Sequence, residues 1–351
     1  MREDPRKGKS VVKGNIGKAA KTIAKGYGLE EAFDLFYSAK KSEGMRERTL
    51  GSYVSHWRYF REWFDSAYPH VNEISGITPA MIREYVIHMS TKTKYAGVTN
   101  REKEAGLSPY TIAFRLRDLR TMFNFLAGEE LIKANPVENI KQPRFDNEDK
   151  ATFSDDHIRR LLEAPNTETY AGLRDRTLIL LLADGGFRIH EALRLTKEFI
   201  DIKTRCVHLP AWMNKNRKPR TVPLSAEVIR EVAALMNENL KYFGKGVEHV
   251  FLANYGEPLK ADHFRKRLRE HAVKAGIYGE LQVSPHQFRS YFLTQFLLNG
   301  GDVFSAQRIV AHSSIQTTRR YVKLNDENIR EQHAQFSPIA KLGMTRVGKR
   351  K

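Results

Sequence analysis

Toward its C-terminal end the chain carries His286-Gln287-Phe288-Arg289, then His312, then Thr317-Thr318-Arg319-Arg320-Tyr321. Arginine offers phosphate oxygens a planar fork of donors. Histidine moves a proton near neutral pH. A tyrosine hydroxyl, with a free pKa of about 10, becomes a covalent nucleophile once a neighbour helps remove its proton. In this order the groups suit phosphodiester chemistry without a metal. They also separate an enzyme from a protein that is only basic.

Further upstream, Arg188 lies in Asp184-Gly185-Gly186-Phe187-Arg188-Ile189-His190-Glu191. Glycines followed by a helix start could present its guanidinium to a phosphate. Glu191, one helical turn on, would hold it; the plainer reading is a surface ion pair worth little. Lys215 lies in Asn214-Lys215-Asn216-Arg217-Lys218-Pro219-Arg220. At a hairpin tip it could reach a nucleic-acid groove, with Arg217 and Lys218 beside it; a solvated basic turn is the other reading. His286 and Arg289 share a helix face by spacing alone. Ser284-Pro285 puts His286 in an opening helical turn, where backbone N–H groups favour an anion. Tyr291, His190 and His208 are read as structural.

These residues need elements to position them. Leu29, Phe33 and Phe36 mark a first helix. Thr49 could cap a second, with Tyr53, Trp57, Phe60 and Phe64 inward. Thr78-Pro79 opens a third, which buries Ile82, Tyr85, Val86 and Met89. Residues 91 to 106 read as an exposed loop, in which Lys92 and Lys94 are candidate DNA contacts. Ser108-Pro109 opens a fourth helix with Ile112, Leu116, Leu119, Phe123 and Leu126 inward. Arg115, Arg117 and Arg120 form its opposite face, suited to a DNA backbone or simply to solvent. The stretch 141–152 reads as a linker. Beyond it, Ser154 caps a helix containing Ile158, Leu161 and Leu162, and an apolar helix runs from Leu173 to Ala183. Strands are expected at Cys206–Leu209, Arg220–Leu224 and Val250–Leu252. Helices are expected at Ala261–Ala275, Pro285–Asn299, Val303–Ala311 and Ile315–Tyr321. The fold expected is mainly α in two domains: a helical domain over 28–140 and a mixed α+β domain over 153–325 with a small antiparallel sheet. A basic tail (1–27) and a C-terminal tail (326–351) flank them.

Composition narrows the partner. The 351 residues carry 59 Lys and Arg against 41 Asp and Glu, a net charge of +18. Such an excess points to a polyanion, foremost a nucleic acid, with a merely solvated basic surface as the alternative. No apolar run approaches the roughly 20 residues of a membrane span, and no apolar signal segment is seen. Cys206 is the one cysteine, so no internal disulfide or cysteine zinc framework forms. A cytoplasmic, nucleoid-associated protein with no membrane partner is expected.

Taken in order, these pieces resemble the tyrosine recombinase, or phage integrase, family. The motifs are Gly186-Phe187-Arg188-Ile189-His190-Glu191-Ala192-Leu193-Arg194-Leu195; Lys215 ahead of Arg220-Thr221-Val222-Pro223-Leu224; Ser284-Pro285-His286-Gln287-Phe288-Arg289; Ala311-His312-Ser313-Ser314; and Thr317-Thr318-Arg319-Arg320-Tyr321. The resemblance spans roughly residues 29 to 325. It implies a catalytic set of Arg188, Lys215, His286, Arg289, His312 and Tyr321, supported by Glu191. It implies a core-binding domain and a catalytic domain closing as a C-shaped clamp on double-stranded DNA. It also implies a 3′-phosphotyrosyl intermediate, no cofactor, metal or ATP, and a homotetramer on two duplexes. The C-terminal tail, anchored by Phe336 and Ile339, would dock on a neighbouring protomer. Two departures stand out: Ala311 where many members have glycine, and Tyr291 where many have a small residue or histidine. The expected function is site-specific recombination, serving integration, excision, transposition or dimer resolution. A type IB topoisomerase-like nicking-closing enzyme and a non-catalytic DNA-binding accessory protein are the competing readings.

Overall fold

The computed structural model describes residues 26–91, 106–143, 152–214, 216–321, 330 and 333–341. Lys92, Lys94, Lys215, the basic N-terminal tail, most of the expected linker and most of the C-terminal tail lie outside them. The chain divides into two compact units, Met1–Glu148 and Asp149–Lys351.

The first unit is built on α1 (Leu29–Ser42), α2 (Glu47–Ala67), α3 (Pro79–Thr91) and α4 (Pro109–Gly128). Apolar residues at helical spacing turn inward: Phe33 stacks on Trp57 at 5.4 Å, and Phe60 meets Tyr85 edge-on at 5.1 Å. Ser108 caps α4 by accepting from the Thr111 amide, with Pro109 in the first turn. Thr49 is not the cap of α2. That helix starts two residues earlier, after Arg46, whose carbonyl accepts from the Thr49 amide.

The second unit centres on α6 (Tyr170–Gly185). Its Leu178, Ile179, Leu181 and Leu182 are all fully buried, so it has no solvent stripe. Around it lie α5 (Asp155–Glu163), capped by Ser154 as its sequence suggests, and the single turn α7 (Ile189–Ala192). An antiparallel sheet follows in the order β1 (Ile200–Asp201), β2 (Cys206–Leu209), β3 (Arg220–Pro223). Its register pairs Val207 with both Ile200 and Val222, which sends Val207 and Val222 into the core. The remaining helices are α8 (Ala226–Phe243), α9 (Ala261–Lys274), α10 (Pro285–Leu298), α11 (Val303–Val310) and α12 (Ile315–Arg319).

One strand expectation fails. Val250–Leu252 is a buried loop pinned by isolated bridges, with the Val250 amide on the Leu195 carbonyl at 2.9 Å; the outer strand is Ile200–Asp201. A short apolar run reads alike as a strand or as buried irregular chain, because burial sets its composition. Among the described residues no helix is long and apolar enough to cross a membrane.

Candidate active site

The end of α6 sets up the first arginine. Gly186 caps the helix in the left-handed region, with φ 58°. A Cβ there would lie 2.6 Å from the Phe292 ring, so both backbone and space demand glycine. The chain reverses, Phe187 enters the core, and Arg188 becomes the N-cap of α7. Glu191 reaches back: Oε2 accepts from the Arg188 amide and Oε1 from Arg188 Nη1, each at 2.8 Å. This carboxylate is buried, and it also accepts from Arg220 Nη2 at 2.7 Å and Nη1 at 3.1 Å. Burial opposes its ionisation. Hydrogen bonds from Arg220, with the charges of Arg220 and Arg188, outweigh burial and hold the carboxyl below its ordinary range. The pair is therefore a buried two-arginine bridge and not the surface ion pair left open by sequence.

The second Arg220 contact reaches the hairpin. Its Nη1 donates to Asn214 Oδ1, and Asn214 Nδ2 lies 2.7 Å from the Lys218 carbonyl and 3.3 Å from that of Pro210. Asn214, fully buried, thus braces both sides of the turn between β2 and β3. Arg217 (φ 52°) and Lys218 are exposed on that turn.

Helix α10 supplies the next pair. Pro285 opens it, and His286 is exposed in its first turn. Arg289 is only 2% exposed; it donates to the Gly186 carbonyl at 2.8 Å and to the Val310 carbonyl. One guanidinium therefore ties together the ends of α6 and α11. Burial first, and the Arg188 charge second, lower its pKa to about 9, so it is still a cation at neutral pH. Ser290, the next residue, donates to the Tyr321 hydroxyl at 3.5 Å. Tyr291 is structural: its hydroxyl donates to Asp155 at 2.9 Å, and burial, with that bond, pushes its pKa up to about 12.

Ala311 ends α11 in the left-handed conformation, φ 51°, a region that favours glycine. His312 follows. Its ring lies 6.5 Å from that of Tyr321 with 19° between planes, and Nδ1 is 3.0 Å from the Thr318 hydroxyl. Burial first, then the charges of Arg289, Arg188, His286 and Arg220, lower its pKa to about 4. Tyr321 sits in the turn just past α12, not within it, its amide on the Thr318 carbonyl at 3.0 Å. Its ring packs on a separate small cluster of Phe292, Leu293, Leu297, Ala306 and Val310.

Arg188, Glu191, Arg289, His312 and Tyr321 thus converge, with His286 close enough for its charge to act on His312. Beside them a cleft of about 1000 Å³ is lined by Lys218, Arg220, Arg308 and His312. Lys215 lies outside the described residues. Sequence reasoning missed Asn214, Arg220, Ser290 and Thr318. Arg220 and Thr318 lie inside quoted motifs but carry no sign of their partners there; Asn214 and Ser290 are ordinary polar residues whose roles depend on how the hairpin and the Tyr321 turn fold.

In the first unit, Arg115 lies over the Tyr59 ring at 4.1 Å and Arg117 over Phe114 at 3.9 Å. Arg120 departs from the expected DNA-facing role. Its guanidinium donates to the carbonyls of Val137 and Ile140, the latter at 2.8 Å, bracing the loop after α4. Carbonyls of the loop after α4 recruited a cation that periodicity had assigned to solvent.

Residues 152–328, just over half of the chain, match the phage integrase family. The protein belongs to that family and is a tyrosine recombinase. It is 27% identical over 300 residues to tyrosine recombinase XerD of Staphylococcus aureus, covering 85% of this chain and 95% of that one. It is 28% identical over 294 residues to XerC of Myxococcus xanthus, covering 77% and 96%. The fold is similar to XerH recombinase bound to palindromic difH substrate (TM-score 0.65, 20% identity, 86% of this chain and 84% of that one). It is also similar to the Tn1549 transposon integrase in complex with transposon right end DNA (TM-score 0.63, 17% identity, 87% and 99%).

Proposed function

We propose that the protein cuts and rejoins duplex DNA at specific sites through a phosphotyrosyl intermediate. The observation that carries this is the meeting of Arg188, Arg289, His312 and Tyr321, drawn from four separate elements, at one place. Arg188 and Arg289 clamp the non-bridging oxygens of the scissile phosphate and stabilise the charge that grows there, an effect realised chiefly in the transition state. Tyr321 attacks phosphorus in line while His286 takes up the phenolic proton. The bond to the 5′ oxygen breaks, and Lys215 gives that oxygen a proton. His312 donates a hydrogen bond to the phosphate. The covalent 3′ linkage conserves the energy of the broken bond, so rejoining to a partner strand needs neither ATP nor a metal. Glu191 keeps Arg188 extended. Arg115 and Arg117 in the first unit, and Arg217 and Lys218 on the hairpin, grip the DNA backbone.

The helical first unit, and a match spanning most of a XerD chain, support strand exchange over simple nicking and closing. The working assembly is a homotetramer on two duplexes. Phe336 (54% exposed) and Ile339 (61% exposed), the latter in the short helix Pro338–Lys341, dock the tail on a neighbour. The site of action is the nucleoid in the cytoplasm.

Incubation with a nicked suicide substrate, followed by denaturing electrophoresis, tests the reading. A covalent adduct is expected from the wild type in EDTA without ATP, and none from Tyr321→Phe. An adduct that persists in Tyr321→Phe refutes the assignment of the nucleophile. Tail docking is refuted if truncation after residue 326 leaves synapsis and cleavage intact.

A further inference from the structure

We infer that Thr318 is a positioning residue. Its hydroxyl donates to His312 Nδ1, which fixes the ring as the Nε2–H tautomer and makes that readiness conditional on the seating of the Tyr321 turn. The inference rests on the reading of His312 as a phosphate donor.

A neutral imidazole has one donor nitrogen and one acceptor nitrogen, and the partner of one decides the role of the other. His312 is in that position: burial and four neighbouring cationic or ionisable groups keep it neutral at physiological pH, so its tautomer matters more than its charge. Only one of its nitrogens, Nδ1, has a protein partner among the described bonds, and that partner is Thr318 Oγ1 at 3.0 Å. If Nδ1 carried the proton, Nε2 would meet a phosphate oxygen with a lone pair and repel it. If Thr318 donates, Nε2 carries the proton and can serve the anion. The ring cannot readily swing away to escape this choice. Gln307 holds the His312 backbone on both sides: its carbonyl accepts from the His312 amide at 3.1 Å, and its side-chain amide donates to the His312 carbonyl at 3.0 Å. The Tyr321 ring covers one face.

Thr318 is fully buried, although a threonine on a five-residue helix has no need to be. Its two ends do different work. The side chain holds His312, and the main-chain carbonyl holds the Tyr321 amide at 3.0 Å. Displacement of the nucleophile's turn therefore removes the donor from His312. A phosphate then meets a set of groups that is complete only when the tyrosine is home, which guards against holding DNA in a cleavage-ready pocket without its nucleophile.

The test uses single-turnover cleavage of a nicked suicide substrate by the full-length protein. Thr318→Val keeps the shape and removes the hydroxyl; Thr318→Ser keeps the hydroxyl. Loss of a transition-state donor outright costs on the order of 10²–10³ in rate, so a donor left in the wrong tautomer for part of the time is expected to cost roughly 10- to 100-fold. Thr318→Ser is expected to stay within about threefold of the wild type. In a His312→Ala background, Thr318→Val is expected to add almost nothing, because residues acting as a unit are not additive. Nitrogen-15 spectra of the wild type are expected to report the Nε2–H form of His312. A wild-type rate for Thr318→Val overturns the inference, as does a loss that persists in full in the His312→Ala background. An Nδ1–H signal in the wild-type protein overturns it even if Thr318→Val does not fold. If His312→Ala itself cleaves at the wild-type rate, the phosphate-donor reading of His312 falls instead, and the tautomer spectrum still decides the Thr318 bond.

Discussion

Ala311 holds a left-handed conformation at φ 51°, where a Cβ crowds the following carbonyl at a cost of roughly 1–2 kcal/mol. The residue must adopt it because the chain has to leave α11 and turn His312 toward Tyr321. Ala311→Gly removes that crowding and adds some freedom to the unfolded chain, so a net gain of about 0.5–1 kcal/mol is expected in a denaturant titration. His312 gives a pH prediction. Its folded pKa, about 4, lies below the ordinary 6.5, so between these values the unfolded chain binds more protons than the folded one. Its contribution is complete above pH 6.5 and is lost as pH falls toward 4. A titration of the His312 ring by NMR in the DNA-free protein is expected to show it uncharged down to about pH 5. An inflection near 6.5 would contradict the burial argument.

At the scale of elements, the decisive connection runs from α7 to the β2–β3 hairpin through Glu191, Arg220 and Asn214. Glu191→Gln keeps the shape but leaves the buried Arg220, with the part-exposed Arg188 beside it, without an anion. Breaking such a pair costs about 3–5 kcal/mol, and cleavage is expected to fall with it, since Arg188 loses its tether. The sign of the pH effect follows from the depressed carboxyl. Its stabilisation is present above the ordinary carboxylate range and disappears as pH drops through the lowered value, so the variant should lose part of the acid sensitivity of the wild type. Comparing the two proteins by thermal melts from pH 7 to pH 3 checks this. The resemblance to a known family located Arg188 and the region of Lys215, and Glu191 was legible from its spacing. Asn214 was not, because a buried amide that bridges two carbonyls across a turn looks in sequence like any loop asparagine.

Over the whole molecule, charge and core division make the testable statements. With a net charge of +18, most affinity for DNA should come from phosphate contacts and released counterions. Raising salt from 50 to 200 mM is expected to weaken binding by about 10³-fold or more in a filter or anisotropy assay. The two units have separate apolar cores, and Trp57 and Trp63 sit in the first while the exposed Trp212 sits in the second. Tryptophan emission should therefore follow the first unit. Asp175, fully buried in the second unit against Arg174, Arg267 and His271, offers the complementary lever. Asp175→Asn is expected to destabilise that unit by about 3 kcal/mol and shift the circular-dichroism transition while leaving the emission transition in place.

The sequence by itself determined most of the helices, though not α8, with the main inward-facing residues, the hairpin strands, the basic character and, through motif order, the family. Those properties are local or compositional: a helix period, a proline in a first turn, or a serine that caps is written within a few residues. The structure alone decided that Val250–Leu252 stays out of the sheet, that Arg120 serves the loop after its own helix, and that Glu191 is shared by two arginines. It also decided that Ser290 and Thr318 attend Tyr321 and His312. Each of these depends on how folding sets separate elements against one another, and on which buried polar atoms then need a partner.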